Sequence, residues 1–307
     1  MGQTPPYSVI CEEQGRTSFP IATFPDRDVS KPDPEDRRLW SITTIIGVVK
    51  SSAIDYWSRQ QVAKAAISIR NSLSQRVDED GEDAVEKFLM DAPFRKPKGQ
   101  RSATQLGTDF HAVAEEIAIT GRAPQLDPND ELVPMVGQFL KWLDRAQPEF
   151  LAAEMPVYNL TYGYAGTADG IMRIQGVTLN HDYKSSRKSR DSKGNPTGPY
   201  PEVALQIAAA RYAEHAVPVP PRRAEVFRRR YYLFGPNEQA ASQPVPEVDG
   251  GIVIHVTPEH CDAYVLRCDE EIFNAFLYRL EDARFEFDTS KTVIGDILQL
   301  PEVVEVI

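Results

Sequence analysis

The sequence predicts an α/β domain with added N-terminal helices, and three observations lead to this fold class. Apolar residues recur at helical spacing in several segments before residue 150 and again after residue 200. Between 151 and 184 the period shifts towards two, which is typical of strands. The chain has 307 residues, enough for one large domain or two ordinary ones, so it can bury a substantial core.

The N-terminal part divides into an arm and a helical region. Residues 1–38 carry six prolines and little periodicity, which predicts an extended arm with a short β element near "TSFPIATF". Residues 39–102 form the N-terminal helical region. Its first long helix is expected to begin at Ser51 or Ser52, and a second helix is expected at about 82–91.

The remainder, residues 103–307, alternates helices with strands. Helices are predicted at 103–120, 131–146, 201–215 and 268–285, and strands at 153–161, 164–174, 177–184 and in "GGIVIHVTP". Gly121 suits the end of the first of these helices. The basic stretch "VPVPPRRAEVFRRRYYLFGPN" is strand-like, 236–249 is expected to be a loop, and 258–266 a short strand or a turn.

Composition excludes some classes of protein. The hydrophobic content of 41% and the charged content of 26% are those of a folded, soluble chain. No run of about 18 apolar residues occurs, so no membrane span or membrane partner is expected. Cys11, Cys261 and Cys268 form no CxxC pair, which predicts a reduced, cytosolic protein without a cysteine-ligated metal. The net charge of −11 argues against a nucleic-acid partner, but basic residues cluster locally.

The segment "TADGIMRIQGVTLNHDYKSSR" places charged residues in a β-hairpin. Asp182 and Lys184 are two apart in one strand and share a face, and Asp169 lies in the preceding strand. An isolated Asp-x-Lys is most often only a solvent-exposed strand face. Two carboxylates on adjacent strands repel each other unless a positive charge lies between them, and a divalent cation such as Mg²⁺ or Mn²⁺ supplies that charge.

Four segments in order resemble the PD-(D/E)XK nuclease superfamily, in its RecB-like and phage-type exonuclease branch. "GTADG" and "HDYK" look like its D-x(n)-(D/E)-x-K core. "GTDFHAVAEE" is similar to its upstream helix, whose histidine maps onto His111. "YPEVALQIAAARYAE" is similar to its helix with glutamine and tyrosine, which map onto Gln206 and Tyr212. Together the segments cover about residues 103–215. The proline of the family's core motif is absent, since Ala168 stands before Asp169.

The resemblance implies a restriction-endonuclease-like core, with a mixed central sheet flanked by helices, that hydrolyses DNA. His111, Asp169, Asp182 and the Tyr183 carbonyl would hold one or two Mg²⁺ or Mn²⁺ ions, and Lys184 would assist the attacking water. The implied role is an exonuclease acting on DNA ends in recombination, repair or replication, in a bacterial or phage-infected cytoplasm. The three cysteines are too few for the iron–sulfur cluster that some members carry, so no cluster is expected.

Four further residues can be interpreted either as part of the site or as ordinary structural residues. Gln206 lies where an apolar residue would fit, which favours a contact to the active site or to a DNA phosphate. Glu154 resembles the family's glutamate in the first strand, contacting the metal through water or supporting a ligand, but a plain exposed glutamate is equally compatible. Glu115 shares a helical face with His111. Tyr212 suits either the site or ordinary aromatic packing.

Basic residues supply a candidate DNA-binding surface, although charge runs are usually solvated faces. "RKPKGQR" precedes the His111 helix, and a second basic run follows Lys184, so both flank the proposed site. The residues assigned to DNA binding are Arg187, Lys188, Arg190, Arg228, Arg229 and Arg230.

Two other functions compete with a nuclease. One is a protein of the nuclease fold that binds DNA or a partner protein without cutting. The other is a metallohydrolase acting on another substrate, but no HExxH motif occurs, and the "HD" at 181–182 lies in a strand. The sequence leaves open whether the protein is an exonuclease or an endonuclease, the polarity of cleavage, the preference for single- or double-stranded DNA, and the oligomeric state. It also leaves open whether a partner protein in recombination or replication binds it.

Overall fold

The computed structural model describes residues 9–11, 16–18, 37–49, 52–94, 101–191, 193–217, 222–226 and 229–298. The helices are α1 Ile42–Ile46, α2 Ser52–Ile69, α3 Leu73–Asp80, α4 Glu82–Met90, α5 Ala103–Thr120, α6 Val133–Ala146, α7 Val203–Arg211, α8 Pro236–Ala241 and α9 Glu270–Phe287. The strands are β1 Val9–Cys11, β2 Arg16–Ser18, β3 Arg37–Ser41, β4 Glu149–Asn159, β5 Tyr164–Ile174, β6 Val177–Ser185, β7 His215–Ala216, β8 Arg222–Val226, β9 Arg229–Phe234, β10 Gln243–Pro244, β11 Gly250–Val256 and β12 Cys261–Leu266.

The main sheet is mixed and mostly antiparallel. β4, β5 and β6 form its antiparallel centre, and β6 continues through a parallel pairing with β11 to the edge strand β12. On the other side of β4, the short strands β7 and β10 extend the sheet. The N-terminal end of β5 pairs in parallel with β3, which continues to β9 and β8. β5 is therefore the strand to which both halves of the sheet are attached.

Helices cover both faces of this sheet. One apolar cluster joins β4 and β5 to α7 and α9, with Ile207 and Phe276 among its buried members. A second cluster lies on the opposite face, where Phe110 of α5 and Phe139 of α6 pack against Tyr183 of β6. Because side chains alternate along a strand, Tyr183 faces α5 whereas Asp182 and Lys184 face the side of α7.

The helix α5 has well-defined ends, which fixes the position of His111. Ser102 is its N-cap, with a hydroxyl that accepts a hydrogen bond from Gln105 N at 3.0 Å. Gly121 ends the helix with a left-handed backbone (φ 72°). Between these ends the buried residues Leu106, Phe110 and Val113 attach the helix to the sheet.

Most of the predicted elements are confirmed. The three central strands, the helix at 103–120 and the helix at 268–285 are present, each within a few residues of its expected bounds. The helix expected at 201–215 is shorter, since it ends at Arg211. The expectation of a loop at 236–249 is wrong in part, because α8 and β10 lie there. The helix α3 and the strand β3 were not predicted.

Of the N-terminal arm, the structure describes the hairpin of β1 and β2 and the beginning of β3. The β element expected near "TSFPIATF" overlaps β2 at its first two residues, and the rest of that segment lies outside the described residues. Within the part of the chain that the structure describes, none of the helices has the length and hydropathy needed to cross a bilayer.

Candidate metal centre

The candidate site lies where two central strands separate. β5 and β6 are paired from Ile174–Val177, at the turn, to Gly170–His181. Just beyond this last pair lie Asp169, which precedes Gly170 in β5, and Asp182, which follows His181 in β6. On the other side of β5, the pairs Ala153–Gly170 and Met155–Ala168 place Glu154 of β4 opposite Asp169. Three acidic residues from three adjacent strands therefore lie at one level of the sheet.

Asp169 lies at the centre of this group. Its side chain is only 9% exposed. Its Oδ2 accepts a hydrogen bond from Tyr183 N at 2.7 Å and lies 3.3 Å from His111 Nδ1. Burial acts to raise the pKa of Asp169, but the contacts with His111 and Lys184 outweigh it and lower the pKa below its ordinary value. Asp169 is therefore the carboxylate that stays ionised.

His111 connects α5 to both central strands. Its Nε2 lies 2.8 Å from the Tyr183 carbonyl oxygen, and its Nδ1 faces Asp169. Burial opposes protonation, yet the hydrogen bond and the charge of Asp169 raise the pKa of His111 to about 9. At neutral pH both ring nitrogens therefore carry protons, one directed at each acceptor.

The residues fit a divalent cation. Single ligand atoms of His111, Glu154 and Asp169 all lie within 4.8 Å of one another. Two carboxylates and one imidazole are ligand types that Mn²⁺ and Mg²⁺ accept, and the imidazole favours Mn²⁺ of the two. The sequence assigned Glu154 only a contact through water, a supporting role or plain exposure, whereas the structure brings its carboxylate close to His111 and Asp169. Asp182, which the sequence assigned as a ligand, is not in this group.

Asp182 and Lys184 form a second polar pair beside this group. Asp182 is 3% exposed and is ion-paired with Lys184, whose side chain is 34% exposed. Burial and the charge of Asp169 raise the pKa of Asp182 to about 7. Lys184 Nζ also lies 3.5 Å from Gln206 Oε1 on α7. The structure thus brings together Asp169, Asp182, Lys184 and Gln206, which the sequence assigned to one catalytic site.

The backbone around the site is unusual at two positions. Glu154 has φ +47°, a left-handed conformation that is rare for a residue other than glycine, in the middle of a strand. On the neighbouring strand, Gly170, which pairs with Ala153, has φ +156°, and a Cβ atom there would lie 2.1 Å from the Ala152 carbonyl oxygen. Such strain persists only where the surrounding structure fixes it, and it concentrates at functional sites.

His181 lies against the same glycine, and sequence analysis did not assign it a role. It is 1% exposed, its ring packs 4.9 Å from the Tyr183 ring, and the added Cβ at Gly170 would lie 2.7 Å from its Cε1. Burial lowers the pKa of His181 to about 4, so the ring is neutral near pH 7. No signal in the sequence distinguishes this histidine from an ordinary core residue.

The two remaining candidates lie at the margins of the site. Glu115 follows His111 by one helical turn and is half-buried, and burial raises its pKa. The ring of Tyr212 stacks on Phe273 at 4.7 Å, against the apolar cluster of α7 and α9. Ordinary aromatic packing accounts for its position.

The candidate DNA-binding residues differ in their surroundings. Lys188 and Arg190 are exposed on the loop after β6. Arg187 is one-third exposed and is ion-paired with Glu131, with Nη2–Oε2 at 3.0 Å. Arg229 and Arg230 lie in β9, although the structure describes only their backbone, and Arg228 lies outside the described residues.

Comparisons with known proteins add little to this geometry. No protein-family model matches the chain, and no curated protein matches it. The matching solved structures include "Crystal structure of SSO0001", with 12% identity and a TM-score of 0.31 over 81% of this chain and 76% of that one. A likeness of this size supports no conclusion about fold family or activity.

Proposed function

We propose that the protein is a divalent-metal-dependent deoxyribonuclease of the PD-(D/E)XK superfamily. The observation that carries this proposal is the convergence of His111, Glu154 and Asp169 within 4.8 Å, beside the ion pair of the buried Asp182 and the partly exposed Lys184. Metal-dependent phosphodiester hydrolysis needs ligands for a cation that neutralises the phosphate and a group that directs water, and this arrangement offers candidates for both.

Each side chain has a distinct task in this proposal. His111, Glu154 and Asp169 would hold the ion, with Asp182 as an additional ligand once it is ionised. When bound, the ion would stabilise negative charge on the phosphate and lower the pKa of a water molecule. Lys184, kept in place by Asp182 and Gln206, would orient the attacking water and offset developing charge on the phosphate.

The expected substrate is DNA, and the proposed reaction is exonucleolytic processing of its ends in recombination, repair or replication. The exposed side chains of Lys188 and Arg190 follow Lys184 in the chain and suit contacts with the phosphate backbone. A cytoplasmic location accords with this role and with the reduced cysteines expected from the sequence.

The test is degradation of end-labelled linear and closed circular DNA in Mn²⁺, Mg²⁺ or EDTA. We expect metal-dependent loss of linear DNA by the wild type and at least a 100-fold lower rate in Lys184→Ala. Lys141→Ala is the matched control, because Lys141 is an exposed lysine on α6.

Two results would redirect the assignment. DNA that is shifted on a gel but never cleaved, in either metal, would favour the nuclease-fold binding module. Tight Mn²⁺ binding without DNA affinity would favour a metallohydrolase that acts on another substrate.

A further inference from the structure

Five charged residues form a cluster next to the candidate metal centre, which we call the arginine–carboxylate cluster: Arg101, Asp109, Asp130, Glu131 and Arg187. Arg101 contacts both oxygens of Asp130, at 2.7 and 2.8 Å, and its Nε lies 2.5 Å from Asp109 Oδ2. Glu131 accepts hydrogen bonds from Arg187 at 3.0 and 3.2 Å and from the backbone N–H of Arg101 at 3.1 Å.

One further bond links the two arginines. Arg187 Nη2 donates to the backbone carbonyl of Arg101 at 2.9 Å. Arg187 thus contacts both the carboxylate of Glu131 and the backbone that precedes α5. The planar guanidinium allows both contacts, because its N–H groups point in fixed, different directions. The side chains of all five residues are between 18% and 32% exposed, so these contacts are partly shielded from solvent.

The cluster continues a row of contacts between α5 and β6. His111 of α5 contacts the Tyr183 carbonyl at 2.8 Å. Gly107, one turn earlier, lies against Ser185, since a Cβ atom there would be 3.8 Å from its Oγ. Arg101, at the beginning of the helix, meets Arg187 just beyond the strand. Lys184 lies between the first and second of these contacts, and Arg187 forms the third.

We propose that Arg187 is a positioning residue, which through Glu131 and the Arg101 carbonyl holds the end of β6, and so Lys184, against the helix that carries His111. This inference deepens the proposed function and rests on it. It also reassigns Arg187, which the sequence placed among the DNA-binding residues, because its Nε and Nη2 already donate to acceptors within the protein.

The experiment compares Arg187→Gln, Arg187→Lys and Glu131→Gln, singly and as the Arg187→Gln/Glu131→Gln double variant, in Mn²⁺-dependent cleavage of linear DNA. Lys188→Gln is the matched control for a phosphate contact. We expect each cluster variant to lower kcat about 10-fold, with KM and its salt dependence unchanged and the double variant no worse than either single variant. Arg187→Lys should be as impaired as Arg187→Gln, since an ammonium group cannot form the same fork.

A phosphate contact gives the opposite pattern and would overturn the proposal. Arg187→Gln would then raise KM and reduce the salt slope by about one, as expected for Lys188→Gln. Arg187→Lys would be near wild type, and Glu131→Gln would have no effect.

If the wild type cleaves no DNA, the proposed function fails, but hydrogen exchange still tests the cluster. The Ser186 and Thr197 amides are bonded to the Val256 and Ser189 carbonyls and report on the segment after β6. Exchange at least 10-fold faster in Arg187→Gln and Glu131→Gln, but not in Lys188→Gln, would support the positioning role. Unchanged exchange would refute it.

Discussion

His111 Nδ1 lies 3.3 Å from Asp169 Oδ2, and each of the two residues favours the charged form of the other. With the pKa of His111 raised to about 9 and that of Asp169 lowered, the metal-free site holds an imidazolium beside a carboxylate near pH 7. In the metal-free site, the positive charge of the imidazolium offsets the negative charge of Asp169, as a bound cation would. A metal ion can use the histidine nitrogen only after a proton leaves.

Metal binding should therefore strengthen with pH. Because the proton on His111 competes with the metal, we expect Mn²⁺ affinity to rise by up to about 10-fold per pH unit from pH 6.5 to about 9, and to level off above that. Titration calorimetry across this range, corrected for buffer ionisation, measures it. His111→Gln should bind more weakly and with a flatter pH dependence. An affinity independent of pH in the wild type would mean that His111 is not a ligand.

Ionisation of Asp182 should lower the free energy of unfolding in the absence of metal. Its pKa is raised from 3.8 to about 7, so between these values the folded protein keeps a proton that the unfolded chain has released. The free energy of unfolding therefore falls as pH rises through this window, and the full cost is present above pH 7. We expect Asp182→Asn to stabilise the protein at pH 8 in EDTA by about 1–3 kcal/mol, while it abolishes cleavage.

Urea unfolding of the wild type and of Asp182→Asn at pH 5 and pH 8 measures this difference. Asp144→Asn, on the exposed face of α6, is the control for loss of one negative charge. Equal stabilisation by both substitutions would point to net charge as the cause instead of the buried carboxylate.

The sequence predicts the central part of the site because the information is local. Period-two spacing places Asp182 and Lys184 on one strand face, and the short turn brings Asp169 near them. The closeness of Glu154 to His111 and Asp169 does not follow from local sequence, since it depends on the register between β4 and β5. That register shifts between Phe150 and Ala152, which no residue pattern in the sequence specifies.

The contacts of Arg187, which the sequence assigned to DNA binding, could also not be predicted from the sequence. Arg187 and its partner Glu131 are 56 residues apart, and a basic run looks the same whether its charges are neutralised by distant carboxylates or left in solvent. His181 is buried and its ring packs against Phe150 of β4 and Tyr183 of its own strand, which charge and spacing in the sequence do not reveal.

Gly170 should be intolerant of any side chain. In Gly170→Ala the added Cβ would meet the Ala152 carbonyl oxygen at 2.1 Å and His181 Cε1 at 2.7 Å, so strand β4 or the His181 ring must shift. We expect a loss of more than about 3 kcal/mol of unfolding free energy. Gly176→Ala, also at positive φ (+86°) but with nothing within 4 Å, should lose only about 1 kcal/mol. Similar losses in the two variants, measured by urea unfolding, would show that backbone conformation alone matters.

Glu154 should lower the stability of the metal-free protein and raise its affinity for the metal. Its left-handed backbone (φ +47°) costs about 1–2 kcal/mol in a residue with a side chain, so Glu154→Gly should stabilise the metal-free protein by about 1 kcal/mol. Both Glu154→Gly and Glu154→Gln should weaken Mn²⁺ binding by about 100-fold, because each removes a carboxylate ligand. Glu115→Gln, a carboxylate outside the group of ligand atoms within 4.8 Å, should bind Mn²⁺ as the wild type does. Calorimetry of the three variants separates a ligand from a nearby charge, and equal weakening by Glu115→Gln and Glu154→Gln would assign Glu154 only a general electrostatic effect.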